Sequence, residues 1–415
     1  MNMRRRFQSL SETYHEYPGP FWALVGVTFI DSIGGYLLFP FFALYITHRF
    51  GVGMTEVGVL FALFSVSSFV GTLLGGALTD RLGRKGIIIF SLVTTSLSSL
   101  LLGLVNSLNA FFLVALISGV VTDTGRPARQ AMVADMLPEG QRAEGFGILR
   151  IAFNVSAAIG PAVGGLLASK SYLALFLSDA VISLITAALV WRILPETRPQ
   201  TEPGAPEESV ASSFRGYGVV LRDGLFMAFM GACILMGLTY MNLGATLGVY
   251  LRDVHGIPES GYGLLLSLNA IMVVVLQFPI TRRIKPFPPM LMMATGAGLY
   301  AVGFGLYGFV ATMPLFALAI VILTVGEMLV SPVMQALSAD MAPENMRGRY
   351  MAVFGFSFGI PFGIGPYLAG LILDNADPSL LWYATGAVGL LATLAFLLLH
   401  RRSEPGRERA TMGQA

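Results

Sequence analysis

Charge is scarce in this 415-residue chain: Asp, Glu, Lys and Arg together make up 12% of it, about half the roughly 25% of an ordinary soluble domain. With 55% hydrophobic residues, the sequence is not built for water as its main solvent. It has a single cysteine, Cys233, which excludes an internal disulfide and any zinc site made of several thiolates. Cys233 reads as a small core residue. The four histidines, His15, His48, His255 and His400, stand near or beyond the ends of apolar runs, at spacings that suggest no metal site. The HExxH and GxxxxGK[ST] runs are also absent, which argues against a zinc hydrolase or a phosphate-cradling enzyme. No catalytic residue and no cofactor are expected. A net charge of +2 gives no case for a nucleic-acid partner.

Long apolar runs are plentiful. A membrane-spanning helix needs about 20 mostly apolar residues, and twelve such runs can be placed at 20–47, 56–79, 86–105, 109–135, 145–169, 172–194, 224–251, 261–283, 288–310, 313–341, 349–374 and 379–400. The polar leader MNMRRRFQSLSETYHEYPG is followed by no cleavage-like A-x-A, so the first run reads as an uncleaved span. Basic residues test the topology, because cytoplasmic loops retain them. With the N-terminus cytoplasmic, 21 of the 26 Lys and Arg fall inside and 3 outside, and Arg126 and Arg129 lie within the fourth span. The reading is therefore an integral multi-pass protein of a cytoplasmic membrane, with both termini inside and lipids as its surroundings.

The chain repeats itself. RPARQAMVADMLPEGQR, ending at Arg142, realigns on SPVMQALSADMAPENMR, ending at Arg347, an offset of 205. The same offset pairs Gly160-Pro161 with Gly365-Pro366, Gly165 with Gly370, Gly51 with Gly256 and Gly58 with Gly263. The fold class expected is an all-α membrane protein of twelve helices in two pseudo-symmetric six-helix bundles. The segments are a cytoplasmic leader 1–19, a first bundle 20–194, a Pro/Glu/Ser-rich linker 195–223, a second bundle 224–400 and a tail 401–415. An even number of spans per unit makes the two copies parallel, which suits a cavity at midplane and alternating access.

Around the second span the chain reads GTLLGGALTDRLGRKG, with Gly71, Gly75 and Gly76 available for close helix packing. The run Gly76-Ala-Leu-Thr-Asp80-Arg81-Leu-Gly83-Arg84-Lys85 resembles the loop signature of the major facilitator superfamily. The resemblance covers essentially the whole chain. It implies that Asp80, with Arg81, Gly83, Arg84 and Lys85, forms a conformational latch toward Arg347 and Arg349; a fixed basic anchor is the competing reading. In the second half the matching loop ITRRIKPFPP carries Lys285 in place of the acid. The fifth span's AAIGPAVGG, with Gly160, Pro161, Gly164 and Gly165, is similar to the antiporter signature of that superfamily's drug:proton branch, with Ser156 where the pattern has glycine. Span eleven echoes it through Gly365 and Pro366, and both helices are expected to bend. WRILPETR at the close of span six resembles the same branch. The fourth span departs from it, with Ala115 where a base is expected.

Ionisable groups inside spans are costly and usually functional. Glu327, in TVGEMLVSP ahead of Pro332, resembles the tenth-span pattern of drug:proton antiporters and is the first candidate to bind and release protons. Asp31 lies about halfway down span one, as a working acid or as a contact of Ser32. Asp123 is a third proton-coupling candidate, or the partner of Arg126 one turn on. Asp179 reads as an acid near the outer surface. Tyr36, Phe39, Met236, Tyr240, Asn242 and Asn269 are candidates for the cavity wall, able to hold apolar or cationic ligands, although such stripes also arise from plain packing. The resemblance implies a monomeric secondary transporter whose partners are a small-molecule substrate and protons, most directly an exporter of lipophilic or cationic drugs. A transporter of one metabolite, sugar or lipid, and a non-transporting sensor or scaffold, remain as alternatives.

Overall fold

The computed structural model of the protein describes residues 16–197, 217–343 and 346–412. Most of the leader and most of the linker fall outside them, and so do the side chains of Asp80, Arg81 and Arg347. Among the described residues every regular element is helical, and twelve helices are long and apolar enough to cross a membrane. They coincide with the twelve apolar runs.

Four long helices of the first repeat and four of the second begin 205 residues apart: α1 (Gly19–Leu38) and α9 (Gly224–Ala245), α3 (Met54–Leu82) and α11 (Glu259–Ile284), α4 (Arg84–Leu104) and α12 (Pro289–Leu306), α5 (Leu108–Thr122) and α13 (Met313–Asp340). The short helices α2 (Phe42–Phe50) and α10 (Leu247–His255) each end on a left-handed glycine, Gly51 at φ 63° and Gly256 at φ 64°. An L side chain rarely adopts that conformation, so both positions call for glycine. The remaining long helices are α7 (Glu139–Ala168), α8 (Tyr172–Ile193), α15 (Phe356–Asn375) and α16 (Ser379–Met412), with α6 (Gly125–Met136) and α14 (Arg347–Phe354) as the second and first parts of spans four and eleven.

Several spans that the sequence reads as single are broken. Span one passes through a 3-10 turn at Phe39–Phe41, where Pro40 removes a donor. Span four breaks at Asp123 and Thr124 because Pro127 has no N–H for the Asp123 carbonyl, which instead accepts from the Arg126 N–H at 3.3 Å. That shift frees the Thr122 carbonyl, and the Ser91 hydroxyl donates to it at 2.5 Å. Pro161 and Pro366, by contrast, lie inside the uninterrupted helices α7 and α15. The run Gly355-Phe-Ser357-Phe-Gly359 has the lettering of a nucleophile elbow, but Ser357 is buried and its hydroxyl donates to the Phe354 carbonyl at 2.7 Å.

The chain forms two compact units. The first, residues 1–39 and 66–202, is centred on Phe21, Leu24, Ile88, Met132 and Val190. The second holds residues 40–65 and 203–415, so the end of span one and the start of span two pack with later helices. Asp374 at the end of α15 accepts from the N–H groups of Met54 at 2.9 Å and Thr55 at 2.7 Å, a carboxylate on a helix N-terminus. Arg252 donates to the Leu44 carbonyl and the Thr47 hydroxyl, each at 3.0 Å.

Glycine sets how closely α3 packs. A Cβ on Gly71 would run into the Val120 carbonyl oxygen and one on Gly75 into that of Thr124, whereas a Cβ on Gly76 would meet nothing within 4 Å. The three glycines of this stretch are therefore not equivalent. Gly71→Ala and Gly75→Ala should each destabilise the protein by about 1–3 kcal/mol, the usual cost of forcing atoms into a packed contact, while Gly76→Ala should be neutral or slightly stabilising through helix propensity. Thermal melting in detergent checks this: equal melting temperatures for the three variants would contradict it.

Candidate functional site

In the second unit, α13 carries Glu327 half-buried, and two neighbouring helices bring neutral donors to its carboxylate. The Tyr240 hydroxyl, on α9, donates to Oε1 at 3.0 Å. The Asn269 amide, on α11, donates to Oε2 at 2.8 Å and also to the Thr324 hydroxyl at 2.9 Å. The Tyr300 ring on α12 stacks on that of Tyr240 with centroids 5.6 Å apart. Three candidates chosen from separate spans thus meet at one carboxylate. Tyr300 was missed; among the many aromatics of the chain its only sequence signal is a tyrosine within an otherwise apolar span. Asn242 is not part of this cluster: its amide donates to the Thr385 hydroxyl at 3.2 Å, and its carbonyl oxygen accepts from Thr246 at 2.9 Å. Met236 is buried in the core.

In the first unit, a separate set of charges collects around the break in span four. The Arg129 guanidinium, on α6, pairs with Asp31 of α1 at 2.5 Å. Asp123 accepts from the Ser68 hydroxyl and faces Arg126 at 3.5 Å. Asp31 thus finds a cation 98 residues away rather than Ser32. Two arginines inside one span were the available signal, since each needs a partner there. Asp179 is buried at 4% exposure rather than at an outer surface. The Ser99 hydroxyl donates to it at 2.5 Å, and a Cβ on Gly34 would lie 2.7 Å from its other oxygen. Of the aromatic candidates here, the Tyr36 backbone and Cβ pack against Gly160, and Phe39 is 40% exposed.

The loop signature also resolves into local roles. Arg84 is 6% exposed; its Nε donates to Asp135 at 3.0 Å and its Nη1 to the Thr79 carbonyl at 3.1 Å. Glu196, from the PETR stretch, accepts from the N–H groups of Arg84 at 2.7 Å and Lys85 at 3.2 Å, which caps the start of α4. Gly83 has φ 96°, and a Cβ there would lie 2.6 Å from Glu196. The latch between Asp80 and Arg347 involves side chains outside the described ones. Among the described residues no group of three or more His, Cys, Asp or Glu is arranged to hold a metal ion.

The family profile described as Major Facilitator Superfamily matches residues 24–260 and 229–415. Among curated proteins, the chain is 29% identical over 372 residues to a "Na(+), Li(+), K(+)/H(+) antiporter" of Planococcus maritimus, covering 83% of this chain and 87% of that one. It is 23% identical over 368 residues to "Multidrug resistance protein MdtH" of Shigella boydii serotype 4 (strain Sb227), covering 88% and 90%. Among solved structures, the nucleoside transporter NupG superposes with a TM-score of 0.77 at 13% identity, covering 92% of this chain and 99% of that one. That likeness concerns the fold alone. The profile covers both repeats, and twelve helices are long and apolar enough to cross a membrane; the chain is an integral membrane protein of the Major Facilitator Superfamily, a transporter and not an enzyme.

Proposed function

We propose that the protein is a secondary active exporter of the cytoplasmic membrane that exchanges protons for lipophilic or cationic compounds by alternating access, with Glu327 as the coupling acid. The observation that supports this most is the Glu327 carboxylate itself, half-buried within a span and held by two neutral donors from two other helices. An ionisable group costs about 2.5–3.5 kcal/mol at mid-membrane on insertion scales, so a position that needed only packing would not favour one. Proton uptake removes the charge that Tyr240 and Asn269 solvate, and a cationic substrate replaces the proton as its counter-charge. Both ligands compete for one carboxylate, which is the simplest form of antiport. Tyr240, half-buried and backed by the stacked, buried Tyr300, supplies an aromatic face beside it, suited to a cation with apolar substituents.

Glu327→Gln keeps the shape and the hydrogen-bonding capacity, so it should fold normally yet lose proton-coupled efflux of lipophilic cations. Proteoliposomes under an imposed pH gradient check this, and a Gln variant that still builds a substrate gradient would sink the assignment.

A second reading has its own support: the Planococcus maritimus relative is an antiporter of alkali cations, and this chain also holds carboxylates inside its first unit. If alkali cations are the cargo, adding Na⁺, Li⁺ or K⁺ to energised everted vesicles should dissipate the pH gradient, and Glu327→Gln should abolish the response. Dissipation by lipophilic cations alone would decide for the drug reading.

Asp31 has a different role in this scheme, as half of an ion pair whose charges neutralise each other. Removing one partner of such a pair strands the other charge, at a cost of up to about 3–5 kcal/mol for a buried pair. Asp31→Asn and Arg129→Gln should each lower the melting temperature more than the double variant does. Equal or additive losses would show that the pair contributes nothing specific.

A further inference from the structure

Thr324 stands three residues before Glu327 on α13 and is fully buried. A hydroxyl has one hydrogen to give, and Thr324 gives it to the Ile320 carbonyl at 2.6 Å. Its oxygen can then only accept, and what it accepts is an N–H of the Asn269 amide at 2.9 Å. That bond turns the NH2 end of Asn269 toward α13, where it also donates to Glu327 Oε2 at 2.8 Å. Asn269 is itself buried, and a flipped amide would set its carbonyl oxygen against two acceptors, the Thr324 hydroxyl oxygen and the carboxylate.

The two oxygens of Glu327 therefore face different chemistry. Oε2 faces an amide that can only donate, and a proton placed there would point at N–H. Oε1 faces the Tyr240 hydroxyl at 3.0 Å, and a hydroxyl can either donate or accept. The other titratable group set against the carboxylate is Tyr300 on α12, whose ring stacks on that of Tyr240. From α11 comes the neutral Asn269.

We propose that Glu327 takes its proton on Oε1, and that Thr324 is the positioning residue that confines it there by holding Asn269 as a donor. A hydrated proton passes H⁺ to Oε1 and leaves water behind. The new O–H donates to Tyr240, whose hydroxyl turns from donor to acceptor. Oε2 becomes the carbonyl oxygen of the acid and keeps its bond from Asn269. For transport, the position of the proton matters only if Glu327 is the coupling acid, the role on which this proposal rests.

Infrared difference spectroscopy of the purified full-length protein across a pH titration reads both partners. The carboxyl band that Glu327→Gln removes should rise as pH falls, together with a shift of a tyrosine C–O band that Tyr240→Phe deletes. Thr324→Val keeps the side-chain shape but removes the acceptor that locks Asn269. The amide can then turn its carbonyl oxygen to an acid O–H on Oε2, which favours the protonated form. The midpoint of the titration should move to higher pH by about one unit, the worth of one hydrogen bond, and the tyrosine shift should shrink. Thr324→Ser, which restores the hydroxyl, should return both readouts to their wild-type values. A Glu327 carboxyl band that rises without a tyrosine shift, a tyrosine shift that survives Tyr240→Phe, or a Thr324→Val midpoint equal to the wild type's would overturn the proposal. The first two outcomes need no variant at position 324, so they decide the matter even if Thr324→Val does not fold. Proton-driven efflux in proteoliposomes separates the coupling role from the proton's position. If Glu327→Gln still builds a substrate gradient while the wild type shows both bands, the coupling role fails and the position stands. If Glu327→Gln loses the gradient while the wild type shows no tyrosine shift, the position alone fails.

Discussion

The interior of a bilayer offers no hydrogen-bond partner, so every backbone group released by a helix break must be satisfied within the protein. The break in span four meets that demand locally. Pro127 withholds a donor, the Arg126 N–H turns to the Asp123 carbonyl, and Ser91 reaches across from α4 to the Thr122 carbonyl. Once the helix is broken there, Asp123, Arg126 and Arg129 follow within two turns, and the same solvent requires that each find a counter-charge or a donor. The Asp31–Arg129 pair and the Ser68–Asp123 bond answer that requirement. The polar centre of the first unit is thus tied to a backbone irregularity, not placed on a regular helix.

Close approach is the second demand. Lipid chains are as apolar as leucine, so helices associate through packing, and packing is tightest where side chains are smallest. Gly71 and Gly75 sit directly on the carbonyls of Val120 and Thr124, at the break itself. The small residues of α3 and the broken helix beside it belong to one arrangement. The loop that follows works on the same principle at the water boundary: Gly83 turns the chain, and Glu196 caps the next helix from the end of span six. What the sequence shows as two separated motifs, one after span two and one after span six, is in the structure a single capped junction.

How much could be read in advance divides along physical lines. The twelve spans and the 205-residue repeat were legible because hydropathy and glycine placement act on length scales that a linear scan can see. Glu327, Tyr240 and Asn269 were legible as individual polar residues in apolar surroundings, and the fold supplied their convergence. The Asp31 partner was not legible, because Ser32 is adjacent in the chain while Arg129 is adjacent only in space. The breaks at Pro40 and at Asp123 were equally hidden, since an apolar run keeps its hydropathy whether or not its helix is continuous. Asn242 shows the converse: a polar residue at a plausible depth bonds within its own unit, to Thr385 and Thr246, away from Glu327.

The repeat also separates what the fold needs from what the chemistry needs. The positions that agree across the 205-residue offset are those of backbone geometry: the helix starts, the left-handed Gly51 and Gly256, Gly160-Pro161 and Gly365-Pro366. Asp135 and Asp340, at the ends of spans four and ten, also agree, but the charged positions deeper in the spans do not. Asp31 stands opposite Met236, Asp123 opposite Met328, Arg129 opposite Met334, and Glu327 opposite Thr122. In the first unit Asp31 and Asp123 stand beside arginines and Asp179 accepts from Ser99, while the second sets Glu327 among tyrosine and asparagine donors. Charges matched within one unit hold their geometry whatever ligand is present, because the ion pair supplies its own neutrality. Hydroxyl and amide donors, by contrast, bond a carboxylate more strongly when it is charged than when it is neutral, so a proton arriving at Glu327 weakens the very contacts that tie three helices together. That difference is the reason for proposing that a ligand acts on the second unit. On this ground the asymmetry between the repeats, rather than either polar centre alone, is what supports the coupling role proposed for Glu327.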